Sequence, residues 1–112
     1  MESILNSIKK MLGIEADYKH FDPELIIFIN SALGICYQLG VGDDKTEPFV
    51  IHSENDTWSD FIDNNQIETV KSYIFAKVKL IFDPPTSSSV LAAYQDLIKE
   101  FEWRCNVDSE TP

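Results

Sequence analysis

The chain has 112 residues, 44% of them apolar, and its 19 acidic residues against nine Lys plus Arg give a net charge of −10. This length makes one domain that buries roughly two-thirds of the surface its unfolded chain exposes, enough for a modest core without metals or disulfides. The charge argues against a duplex-DNA grip, which needs clustered Lys and Arg; here the basic residues are scattered, with small groups only at Lys9-Lys10 and at Lys77 and Lys79. A negative surface instead repels phosphates and would keep DNA from sticking to a channel wall, although on composition alone the acids read first as a solubilising surface. No apolar run reaches the roughly 18 residues of a membrane span. Met1-Glu2-Ser3 lacks the basic start of a secretory signal, so a cytosolic chain is expected.

Taken in chain order, Ile4, Leu5, Ile8, Met11 and Leu12 recur at helical spacing and stop at Gly13. A helix this short is marginal alone, so it must dock on its own domain or on a neighbouring subunit. Asp22-Pro23 predicts a helix start, with the Asp carboxylate as cap and Pro in the first turn. From Leu25 to Leu39 the helix is apolar nearly all round, which predicts burial on several sides, and Gly40 and Gly42 end it. Residues 41–56 are polar and acidic. They read as a long irregular loop, with at most a minor extended piece at Phe49-Val50-Ile51.

Thr57-Trp58-Ser59-Asp60 has the form of a capping box and predicts a short helical turn through Phe61 and Ile62. After the break at Asp63-Asn64-Asn65, Asn65 is placed to cap a helix bearing Ile67, Val70, Ile74, Val78 and Ile81 on one face, with Tyr73, Phe75 and Phe82 beside it. Asp83-Pro84-Pro85 stops that helix. One of the serines at 87–89 caps the last one, whose inner face reads Leu91, Tyr94, Leu97 with Ile98, Phe101 and Cys105. The expected fold is therefore all-α: a small bundle of about four main helices with a long irregular loop between the second and third. The helical domain spans residues 1–107, and 108–112 form a polar tail.

Chemistry-bearing patterns are sparse. Four glycines fall in no phosphate-loop pattern, and no nucleophile elbow or paired cysteine motif is present. Cys36 and Cys105 lie in apolar helical patterns and read as reduced core fillers. The best metal candidate, His52, Glu54 and Asp56 with His20 and Asp22 as partners, lacks the fixed spacing of a zinc site and reads as a solvated acidic loop. No catalytic, cofactor-binding or metal residue is assigned, and the chain is expected not to be an enzyme. Tyr94, Trp58, Trp103 and Arg104 read as core or interface, and Trp103-Arg104 near a helix end suits a protein contact.

The order of elements resembles a known family. A short helix and Gly are followed by an Asp-Pro-led buried helix ending Leu39-Gly40-Val41-Gly42, then Trp58-Ser59-Asp60-Phe61, the corner Phe82-Asp83-Pro84-Pro85 and the terminal Glu102-Trp103-Arg104. Over roughly residues 3–107 this resembles the small head–tail connector (adaptor) proteins of tailed phages and prophages of Gram-positive bacteria; the triple serine at 87–89 is more polar than that pattern. The resemblance implies a mostly helical structural protein that forms a ring, typically a dodecamer, under the portal. The ring extends the DNA channel without binding DNA specifically and docks the neck or tail completion protein. It implies assembly in the host cytoplasm, residence at the virion neck, and no membrane or cofactor. Packing of the first helix on a neighbour is the expected ring contact, and the expected interface set is Ile4, Ile8, Met11, Trp58, Phe61, Trp103 and Arg104. The alternative from another class is an acidic DNA mimic that inhibits a host nucleic-acid-binding protein, although mimics need carboxylates spaced along one face and here they cluster in loops.

Overall fold

The computed structural model describes residues 2–44, 46–63 and 65–110, with side chains as far as Cys105. Five helices follow in order: α1 (Ile4–Leu12), α2 (Asp22–Gln38), α3 (Trp58–Phe61), α4 (Ile67–Phe82) and α5 (Ser88–Glu110). The fold is all-α; among the described residues the only β pairing is an isolated antiparallel bridge between Ser3 and Thr57. The body is a flat slab of 45 × 35 × 21 Å.

Helix α1 starts where Ser3 Oγ accepts the Asn6 N–H at 3.2 Å, and it ends at Gly13 in the left-handed region, φ 82°. Its apolar face, Ile4, Leu5 and Ile8, is sealed against α2 and α4 of the same chain. A nine-residue helix would not persist alone in water; burial of those side chains, about 1.5–3 kcal/mol each, holds it. The first helix therefore shelters inside its own domain and does not need a neighbour.

The start of α2 differs from expectation. Pro23 takes its place in the first turn, but the cap position is Phe21 and no side chain caps it. The Asp22 carboxylate turns instead toward α1, where Lys9 Nζ lies 2.8 Å from Oδ1 as an ion pair. The far end closes as read: Gly40 has φ 79°, and the Val41 N–H reaches back to the Cys36 carbonyl at 2.8 Å.

The described part of the segment after α2 is irregular, yet it is fastened at several points. The Asn30 side chain accepts the Ile51 N–H at 2.8 Å and donates to the Ile51 carbonyl at 3.0 Å, mimicking a strand partner. Ile51 is thereby driven into the core, and Phe49 lies 5.3 Å from the Phe61 ring. Near the chain start, the Ile4 N–H donates to the Asp56 carbonyl at 3.0 Å and the Trp58 N–H to the Glu2 carbonyl at 3.2 Å. The capping box at α3 forms, with the Thr57 N–H and hydroxyl both donating to Asp60 Oδ2, at 3.2 and 2.9 Å.

Helix α4 lies at the centre, between α1 and α2 on one side and α5 on the other. This explains two departures. Tyr73 is fully buried, because α4 has two covered faces, whereas Ile81, one turn from the corner, is 55% exposed. The α4 cap is Gln66, not Asn65; the Asn65 N–H is taken by Asp63 Oδ1 at 3.0 Å, in a tight turn that precedes the helix. The corner is as read. The Asp83 N–H closes on the Lys79 carbonyl at 3.0 Å, Pro84 and Pro85 follow, and Ser87 Oγ accepts the Val90 N–H at 3.4 Å to start α5.

Helix α5 rests mainly on α4. Ile98 is buried, and Leu91, Tyr94, Phe101 and Cys105 are half-buried, but Leu97 points away from the inner face assigned to it. The helix backbone continues to Glu110, into the stretch read as a tail; Thr111 and Pro112 lie outside the described residues.

Candidate assembly surface

The seven residues expected at an interface fall into two groups. Ile4, Ile8, Trp58 and Phe61 are buried in the chain's own core and offer nothing to a partner. The physical reason is the crossing of residues 2–4 with 56–58, which carries Trp58 between α1 and α4. There its indole Nε1 donates to Ser7 Oγ at 3.0 Å, and the Ser7 hydroxyl donates in turn to the Ser3 carbonyl at 2.6 Å. Met11, Trp103 and Arg104 are exposed, Trp103 by 64%. Arg104 is held along the α5 surface by an ion pair to Glu100 at 2.7 Å.

Other exposed apolar side chains were not singled out by the sequence. Ile27 on α2 is 62% exposed, and Ile81, Val90 and Leu97 project from α4 and α5. The signal for Ile27 was present: a helix apolar all round leaves some apolar side chain outside whichever face is buried. Tyr18, His20, Phe21 and Phe82 form a chain of ring contacts, the closest pair at 4.9 Å between centroids, at the end of the slab near the corner.

A groove of about 500 Å³ opens where the end of α2, the start of α4 and the last turns of α5 meet. Leu39, Val41, Val70 and Phe101 supply its apolar wall; Asn65, Gln66, Thr69 and Arg104 supply its polar rim. No nucleophile, base and orienting group converge in it.

The loop carboxylates considered for metal binding are engaged elsewhere. Asp56 Oδ2 accepts the backbone N–H groups of His52 and Ser53, at 2.7 and 3.2 Å. Glu54 pairs with Lys19 at 2.7 Å, which holds its carboxyl below the usual range and raises Lys19 in turn. Asp22 serves Lys9. Among the described residues no three His, Cys, Asp or Glu side chains come together as a metal site. Burial raises the Cys36 thiol to about 12, with nearby Cys105 adding to the effect, so Cys36 behaves as an inert core filler. The Tyr73 hydroxyl is likewise raised, by burial and by its hydrogen bond to Glu102 at 2.8 Å.

The arrangement is an all-α slab with scattered apolar and aromatic side chains facing outward, and among the described residues no reaction centre is assembled. The family model described as Phage connector protein matches residues 4–112, all five helices included. The chain belongs to the phage connector protein family. No curated protein and no solved structure matches this connector. A connector's working parts are surfaces rather than pockets. Among its outward residues are Trp103 and Arg104 on α5, Met11 at the end of α1 and Ile27 on α2. No helix of the described residues is long and apolar enough to cross a membrane.

Proposed function

We propose that this connector is a structural, non-catalytic head–tail adaptor of the phage virion. Copies form a ring beneath the portal, a dodecamer by resemblance to the family, which extends the DNA channel and offers a docking surface to the neck or tail completion protein. The observation that carries this reading is the family match across residues 4–112.

The chemistry of the chain supports it. A net charge of −10 keeps a duplex from adhering as it passes, since the negative wall repels its phosphates. The exposed Trp103 and Arg104 belong to the residue types enriched at protein contacts, and with Met11 they form the proposed contact set on this surface. The helical domain is proposed to span residues 1–107, with the polar segment 108–112 meeting the portal. Assembly takes place in the host cytoplasm and the finished ring sits at the virion neck.

The test is co-assembly. The purified connector, mixed with the portal ring of its own phage, is expected to co-sediment with it and to add a ring of density on the channel axis by electron microscopy. A chain that stays monomeric at high concentration and leaves the portal unchanged contradicts the proposal. Trp103→Ala is expected to lower the bound fraction several-fold while leaving the circular dichroism spectrum and thermal midpoint unchanged, because an exposed side chain contributes little to the fold.

A further inference from the structure

We infer that α5 is an exchangeable arm: in the assembled connector it seats on α4 of a neighbouring copy, in the contacts it makes with its own α4 in the single chain. The inference rests on the ring reading above and adds to it what the subunits exchange.

Three observations converge on α5. First, it is the least sealed of the long helices. Helices α1 and α2 each bury several apolar side chains fully, Ile4, Leu5 and Ile8 on the first and Leu25, Ile29 and Leu33 on the second, whereas among the described side chains of α5 only Ile98 is buried and the other inward ones stay half-exposed. Second, its seam with α4 is open on both sides. One groove of about 290 Å³ runs past Thr69, Ser72 and Leu97, and another of about 500 Å³ past Lys77, Ile81 and Gln95. The groove at the far end likewise separates the last turns of α5 from the end of α2. Third, α5 follows α4 through a connector of residues 83–87 that opens with Asp83-Pro84-Pro85. Each residue that precedes a proline is restricted to extended conformations, so Asp83 and Pro84 both favour a straight connector. Short stiff hinges of this kind favour exchange of an element between copies, because the same contacts form in either arrangement and only the hinge differs.

The contacts α5 would carry with it are specific. Phe101 stacks on Tyr73 with centroids 4.2 Å apart and planes at 17°, Tyr94 meets Phe75 edge-on at 5.9 Å, and Glu102 accepts the Tyr73 hydroxyl. A second copy of this chain supplies the complement to the α4 face, residue for residue. Exchange from one copy to the next in one rotational sense is a head-to-tail relation, which closes into a ring when the rotation permits.

The unmodified protein supplies its own reporter. Lys77 Nζ lies 4.0 Å from Glu102 Oε2 across the seam, both partly exposed, so a zero-length carbodiimide coupling joins α4 to α5 wherever they are seated together. Equal amounts of ¹⁴N- and ¹⁵N-labelled chain are co-refolded, concentrated or assembled with portal, coupled, digested and weighed. Full exchange gives about half of the Lys77–Glu102 cross-linked peptides with one light and one heavy partner. Single-isotope peptides in a preparation that has formed rings overturn the exchange and leave the ring reading standing. Single-isotope peptides in a chain that stays monomeric overturn both. Mixed-isotope peptides in a dimer that ignores the portal support the exchange and count against the ring.

Discussion

Lys9 sets the chemistry of the protein at its smallest scale. Its ammonium is cut off from solvent and donates to the carbonyls of Ala16 and Tyr18, at 3.0 and 2.7 Å, beside the Asp22 carboxylate at 2.8 Å. Two carbonyl acceptors and one ion-paired carboxylate surround the ammonium, and the turn between α1 and α2 is thereby folded around one charge. Lys9→Met leaves those acceptors unanswered and is expected to cost about 3–5 kcal/mol in urea unfolding, a large share of a small domain's stability. A loss below about 1 kcal/mol would show that water replaces the ammonium. Nothing in the sequence marked Lys9, because a lysine beside Lys10 in a short amphipathic helix reads as surface, and its partners are backbone carbonyls, which leave no sequence signal. Asp22 was misread for the same reason: its cap position was legible, but the competing cation one helix away was not. Cys36, by contrast, reads correctly from its place in an apolar pattern. With its thiol raised to about 12, peptide-level mass spectrometry is expected to find it unalkylated by N-ethylmaleimide at pH 8 until denaturant is added.

Among the elements, the turn after α2 was the most legible, and it makes a paired prediction. Gly40 and Gly42 both have positive φ, 79° and 114°. A Cβ on Gly40 would meet open space, whereas one on Gly42 would lie 2.8 Å from Phe61 Cε1. Gly40→Ala is therefore expected to cost about 1 kcal/mol, the left-handed penalty alone, and Gly42→Ala clearly more, as the Phe61 ring must shift. Equal midpoints for the two variants in thermal melts would contradict this. The helix periods, the capping box and the proline corner were readable because each is local chemistry within a few residues. The burial of Trp58 and Phe61, the clamp of Asn30 on Ile51 and the exposure of Ile81 were not, because each depends on which elements cross. A Trp in a polar stretch next to a capping box looks equally like an interface anchor and a core residue until the chain start is laid over it. Of the residues expected at an interface, only Met11, Trp103 and Arg104 lie outside, where polar or terminal context keeps the side chain exposed.

For the molecule as a whole, electrostatics divides into a few local pairs and one large net charge. Lys71 pairs with Glu2 and holds that carboxyl below its usual range; burial acts to lower Lys71, and Glu2 outweighs it, leaving Lys71 raised. A depressed acid contributes stability above its unfolded pKa and loses it as pH falls through the folded value. A raised lysine contributes below its unfolded pKa and loses it as pH climbs through the folded value. The Glu2–Lys71 contribution therefore spans roughly pH 5 to 10. Glu2 is largely exposed, so Glu2→Gln is expected to lower stability at pH 7 by less than about 1 kcal/mol. The difference from wild type should shrink toward pH 3 in urea titrations; a difference that grows on acidification would contradict the sign. The excess of 19 acidic residues over nine Lys plus Arg gives the connector its charge of −10. That charge resists association at low ionic strength, so self-assembly is expected to strengthen with added salt.

What holds the fold together is an interior that seals α1, α2, α4 and the Trp58 segment within one chain, with α5 laid on α4 and a scatter of apolar side chains left outside. The most direct check is electron microscopy of the cognate portal with and without the purified connector. Added density forming a closed ring on the portal axis, with α5 in contact between subunits, is the expected result. A portal unchanged at saturating connector, with the chain sedimenting as a monomer, would contradict it.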